Sequence, residues 1–167
     1  MPENVYNDMW KHLLPPEPKS EEVAFLFAEA SHSAGEINLE FRDWYAVPPS
    51  GFIIKSAYHI ELNDETRATV IKRAHDLKAC LVEFHSHLNS YEAGFSGSDI
   101  SGFREFVPHV MWRLKDRPYA AVVVDETSFD ALIWPKDPNS PELLSEIHVS
   151  KRVLQPTGAT LRHGGFE

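Results

Sequence analysis

The stretch ACLVEFHSHLNSYEAGFSGSD, residues 79–99, joins an apolar run to a polar loop and then to a serine–aspartate pair. ACLVEF (79–84) is short and apolar, as a buried strand is, and it runs directly into His85-Ser86-His87. Residues i and i+2 of a strand project to the same face, so both imidazoles can reach one ion. Ser96-Gly97-Ser98-Asp99 follows after an eight-residue loop and carries the S-x-x-D pattern of a helix capping box. Two imidazoles and one carboxylate form a three-ligand set that leaves the fourth position of a tetrahedral zinc to water, as in a catalytic site. With nine histidines in 167 residues, about half an H-x-H pair is expected by chance, so the pair alone says little. Its conjunction with S-x-x-D, at a strand end and a helix start, gives the segment its weight.

Upstream, residues 65–78 carry Val70, Ile71, Ala74 and Leu77 at helical spacing behind a cap at Asn63 or Asp64. Residues 52–60 fit a strand. INLEFRDWYAV (37–47) alternates as a strand does and pairs, through a turn at Ser33-Ala34-Gly35, with the apolar EEVAFLFAEA (21–30). Residues 4–14 put Val5, Met9, Trp10 and Leu13 on one helical stripe that Pro15, Pro16 and Pro18 close. Downstream, a helix over about 98–115 is interrupted or kinked near Pro108, and AAVVVD (120–125) forms a hairpin with FDALIW (129–134). Residues 141–154 suit either strand or helix, and 155–167 read as a tail. Strands mingled with helices give a single-domain α/β fold over residues 1–167.

The length suffices for one core and not for two. A net charge of −9 without a basic patch argues against a nucleic-acid partner. The single cysteine, Cys80, excludes an internal disulfide and fits a reducing compartment. The first residues lack the basic head and apolar core of a signal peptide, and no apolar run approaches the roughly 20 residues that span a bilayer. The expectation is a cytoplasmic protein without a membrane partner.

His85-Ser86-His87 followed by Ser96-Gly97-Ser98-Asp99 resembles the H-x-H-x7-S-x2-D signature of the JAMM (MPN/JAB) zinc metalloproteases, and the resemblance covers roughly residues 20–135. Two departures stand out: the linker has eight residues where the signature has seven, and Leu88 occupies the place of a usual proline. An extra residue in a surface loop costs little. The resemblance implies a mixed β-sheet flanked by helices of the MPN/JAB (cytidine-deaminase-like) kind. It also implies one zinc per chain on His85, His87 and Asp99, and a catalytic glutamate just before the first apolar strand. Glu22 matches that place. Glu21 and Glu29 compete with it, Glu29 lying late in the strand and Glu21 on the opposite face from Glu22. In the implied reaction Glu22 takes the proton of a zinc-activated water as general base, and Ser96 donates to the developing oxyanion.

The substrate implied is an amide or isopeptide bond at the C-terminal glycine of ubiquitin or a ubiquitin-like protein, and a homodimer is compatible with it. Two other readings stay open: a non-catalytic MPN scaffold, and a zinc amidase acting on a sulfur-carrier protein or a small amide. A zinc nucleobase deaminase needs P-C-x-x-C, which one cysteine cannot supply. Residues 161–167 contain L-R-x-G-G, similar to the end of ubiquitin. They read as a flexible terminus, with occupation of a substrate groove as the sharper alternative. His12, His32, His75 and His163 read as surface residues and His59, His109 and His148 as partly buried ones. Phe95 and Tyr91 are loop side chains able to touch substrate, and Cys80 is a small buried hydrophobe.

Overall fold

Val23–Ala28 are apolar at every position, and a strand with no polar face belongs in the middle of a sheet covered on both sides. A computed structural model, which describes residues 1–88, 91–164 and Phe166, places it there. In chain order the elements are α1 (Glu3–Leu13), β1 (Val23–Ser33), β2 (Glu36–Ala46), β3 (Phe52–Lys55), β4 (Ile60–Leu62), α2 (Asp64–Asp76) and β5 (Cys80–Ser86). They continue with α3 (Gly97–Arg113), β6 (Tyr119–Val124), β7 (Phe129–Trp134), β8 (Glu142–Leu143), β9 (Ile147–Val149), β10 (Arg152–Leu154) and α4 (Ala159–Arg162).

Six strands form one mixed sheet in the order β2-β1-β5-β6-β7-β8. β5 and β6 pair in parallel and the other neighbours antiparallel. A parallel pair needs a crossover, and α3 supplies it. Strand alternation divides the core in two. Phe25, Phe27, Leu81 and Trp134 face Val70 of α2 and Phe103 and Val107 of α3. Ala24, Leu26, Val82 and Phe84 face Val5, Met9 and Leu13 of α1 on the other side. Each Val, Leu, Met or Phe side chain among them stabilises the fold by ~1.5–3 kcal/mol. The result is an α/β fold with a mixed central sheet flanked by helices. No helix among the described residues is long and apolar enough to cross a membrane.

Three expectations change, and one that was left open is decided. The single strand over 52–60 is a hairpin of β3 and β4, because Ser56 Oγ accepts from the Tyr58 and His59 amides and folds the chain back. α3 runs unbroken through Pro108, whose missing N–H deserts the carbonyl of Arg104, a solvent-exposed residue. Residues 141–154 resolve into the short strands β8, β9 and β10. The stretch expected as a loose tail is fastened down. Buried Asp130 accepts hydrogen bonds from the Gly158 amide, the Thr160 amide and Thr160 Oγ1. Thr157 Oγ1 donates to the Ala93 carbonyl, Arg162 pairs with Glu92, and Phe166 meets Trp134 edge-on at 5.9 Å. Gly165, the last residue of the L-R-x-G-G stretch, and Glu167 lie outside the described residues.

Candidate metal centre

β5 is buried nearly throughout, so alternation decides what each side chain meets. Leu81 lies in the core layer under α2 and α3, and Glu83 and His85 follow it at strand spacing on the same face. His85 is only 1% exposed. The His87 amide donates to the Val124 carbonyl at 2.8 Å, extending the pairing with β6 just past the strand end. The third residue comes from α3. Ser96 Oγ accepts from the Asp99 amide at 3.2 Å, and Asp99 Oδ2 accepts from the Ser96 amide at 2.7 Å and from Ser96 Oγ at 2.8 Å. This is the capping box expected from S-x-x-D. It delivers Asp99 Oδ2 to 3.2 Å from His87 Nε2 and 3.5 Å from His85 Nε2.

The ligand atoms of His85, His87 and Asp99 all lie within 4.8 Å of one another, close enough to hold one metal ion. Tetrahedral bonds of about 2.0–2.1 Å span edges of about 3.4 Å, which the two measured separations bracket. The charges agree. Burial opposes the Asp99 anion, but the His85 and His87 imidazoles outweigh it and hold the carboxyl well below its usual range. Burial likewise opposes a His85 cation, but Asp99 and then Glu83 outweigh it, and its pKa is pushed up to about 10. Such a site attracts positive charge. His85 Nδ1 and Nε2 are also buried without a completed hydrogen bond, since Glu83 Oε1 stands 3.4 Å from one and Asp99 Oδ2 3.5 Å from the other. A cation at Nε2, with the ring proton on Nδ1, would satisfy both nitrogens.

The two glutamates ahead of β1 lie in different surroundings. The Glu22 carboxylate accepts from Lys55 Nζ at 2.5 Å, and its amide donates to Ser86 Oγ. Glu21 is the residue turned to the cluster. It is 6% exposed, and burial raises its pKa against the opposing charges of His87 and His85. Register is the cause. Val23 pairs with His85, and direct antiparallel partners share a face, so two steps back Glu21 falls on the histidine face and Glu22 on the other.

A cleft of about 300 Å³ opens beside the cluster, lined by Val23, His59, Leu62 and Phe103 together with His85 and Asp99. His59, expected to be partly buried, is exposed at the rim, and His109 and His148 are exposed elsewhere. Phe95 is buried against His85 at 5.7 Å, so it is wall and not substrate contact, while Tyr91 is fully exposed. Cys80 is buried, donates to the Ala28 carbonyl and has its pKa pushed up by burial to about 12, which leaves it no nucleophilic thiolate. Glu83 and Tyr119 went unread in the sequence. The phenol donates to Glu83 Oε2 at 2.7 Å, directly behind His85. The signal available was a carboxylate inside an otherwise apolar strand, two residues before a histidine. No protein-family model matches the chain, and no curated protein matches it significantly.

Proposed function

We propose that the chain is a zinc-dependent amide hydrolase of the JAMM/MPN kind, acting at the C-terminal glycine of ubiquitin or a ubiquitin-like protein. The observation that carries this reading is the convergence of His85, His87 and the capped Asp99 beside the buried carboxyl of Glu21. A zinc ion held by those three residues supplies the Lewis acidity that polarises an amide carbonyl and acidifies a water. Glu21 takes the proton of that water and hands it to the leaving amine. Burial, which raises its pKa toward the working pH, suits it to both acts. Asp99 keeps its place because Ser96 holds it through the capping box, and the Ser96 hydroxyl, at the cluster's edge, donates to a developing oxyanion only by turning its single proton away from Asp99 Oδ2.

Two features favour a peptide-like substrate and catalysis over a scaffold. β4, whose residues line the cleft, belongs to a two-stranded sheet and offers an edge on which an extended tail can pair. A buried carboxyl with a raised pKa costs stability, which a non-catalytic scaffold has no reason to bear. The test is to count zinc in protein purified with the metal. The same protein is then incubated with ubiquitin-like precursors and conjugates, with and without chelator. One zinc per chain and chelator-sensitive release of the leaving group, lost in Glu21→Gln, are expected. Protein without zinc, or hydrolysis that survives chelation, refutes the proposal. Cleavage of small amides alone moves the assignment to a zinc amidase.

A further inference from the structure

We infer that Glu83 and Tyr119 are a positioning pair that holds His85 in the tautomer with its proton on Nδ1 and its Nε2 lone pair free for the metal. This rests on the metal reading above. Glu83 and His85 stand two apart on β5 and share a face, which brings Glu83 Oε1 to 3.4 Å from His85 Nδ1. The other carboxylate oxygen, Oε2, accepts from Tyr119 at 2.7 Å. A phenol O–H donates there, so the carboxylate cannot turn that oxygen elsewhere, and Oε1 is left as the acceptor for an imidazole N–H. Tyr119 is itself immobile. It is fully buried at the start of β6, its position fixed by pairing with Leu81, and its ring meets Phe106 and Trp134 edge-on at 6.1 and 5.7 Å. The chain Tyr119–Glu83–His85 thus runs from the core to the ligand atom. A carboxylate behind a ligating imidazole fixes its orientation and raises its basicity, and removing such a partner weakens metal binding by 10–100-fold. A purely structural Glu83 satisfied by Tyr119 has no such effect on the metal.

The experiment compares wild type, Glu83→Ala, Glu83→Gln and Tyr119→Phe. Zinc affinity is read by competition with a chelator, the His85 tautomer by long-range proton–nitrogen NMR of the zinc-loaded chain, and the fold by melting of the metal-free protein. Glu83→Ala is expected to weaken zinc binding by about 10–100-fold and to lose the protected Nδ1–H signal. Glu83→Gln keeps an acceptor oxygen without the charge, so it should retain the tautomer and fall several-fold in affinity, between Ala and wild type. Tyr119→Phe should show a smaller loss. Wild-type affinity and an unchanged His85 signal in Glu83→Ala overturn the inference, as does a lowered melting point with zinc affinity intact. If Glu83→Ala fails to fold, equal affinity in Glu83→Gln and wild type overturns it instead. A wild-type chain that binds no zinc removes the metal reading and this inference together.

Discussion

Replacing Glu21 and Glu22 by glutamine, one at a time, tests the register of β1 with consequences of opposite kinds. The Glu22 side chain is 16% exposed and that of its partner Lys55 22%. Losing so sheltered a pair should cost about 1 kcal/mol, the upper end for ion pairs near a surface, and lower the melting point by about 2–4 °C. Metal binding and turnover should persist. Glu21 behaves otherwise. Its pKa in the folded chain lies above the ordinary value of 4.5, so the native state binds the proton more tightly than the unfolded state does. Its contribution to the metal-free protein is therefore most favourable below that ordinary value and is lost as pH rises through the raised one. Glutamine carries no such proton. Glu21→Gln should abolish this fall in stability with pH and melt at or above wild type at neutral pH. Turnover should drop by about 10²–10⁴-fold, the contribution of a general base, or about 3–5 kcal/mol of activation energy. Melting curves of the metal-free proteins from acid to neutral pH, zinc counts and rates on one cleavable substrate supply the readouts. Loss of turnover in Glu22→Gln with near-native rates in Glu21→Gln refutes the reasoning, and so does an unaltered pH slope in Glu21→Gln.

Zinc binding should release close to one proton from His85 between about pH 7 and 9, strengthening about tenfold per pH unit, because His85 stays protonated in the metal-free chain up to about pH 10. Calorimetry in two buffers of different ionisation heat measures this, and a heat independent of buffer contradicts it. Ser96→Ala should cost about 1 kcal/mol of stability through the lost cap and loosen zinc, since Asp99 loses a tether; melting and chelator competition report both. Thr160→Val leaves Asp130 Oδ2 and the Phe95 amide each short of a partner, at about 1–3 kcal/mol read from denaturant unfolding. Removing residues 159–167 should accordingly destabilise the protein and not activate it, which activity measured alongside unfolding will decide.

The grouping of His85, His87 and Asp99 was legible because its parts are local. Two-residue alternation put both histidines on one face, and a capping box needs only four consecutive residues, so neither depended on the rest of the chain. The choice between Glu21 and Glu22 depended on register, and β1 hides its register. Val23–Ala28 are buried on both faces, so no polar alternation marks which side the histidines share. The break between β3 and β4 turned on one hydroxyl, Ser56 Oγ, that a propensity count does not weigh. The fastening of Thr157–Thr160 was out of reach for another reason. Its anchor, Asp130, sits inside FDALIW, where a buried carboxylate looks like a strand residue until its partners arrive from about 30 residues downstream.

That anchorage bears on when the three side chains of the cluster are brought together. Phe95, at the threshold of the Asp99 helix, is tied to Thr160, 65 residues later. Chains are made from the N-terminus at about 5–20 residues per second, so roughly 3–13 s separate the delivery of these two residues. Through that interval the nascent polypeptide carries His85 and His87 while the Phe95 amide, at the approach to Asp99, still lacks its partner. The order of translation thus puts the fully fastened cluster after the docking of Thr160, and a chain stalled earlier holds two imidazoles and an acid whose approach lacks that tie.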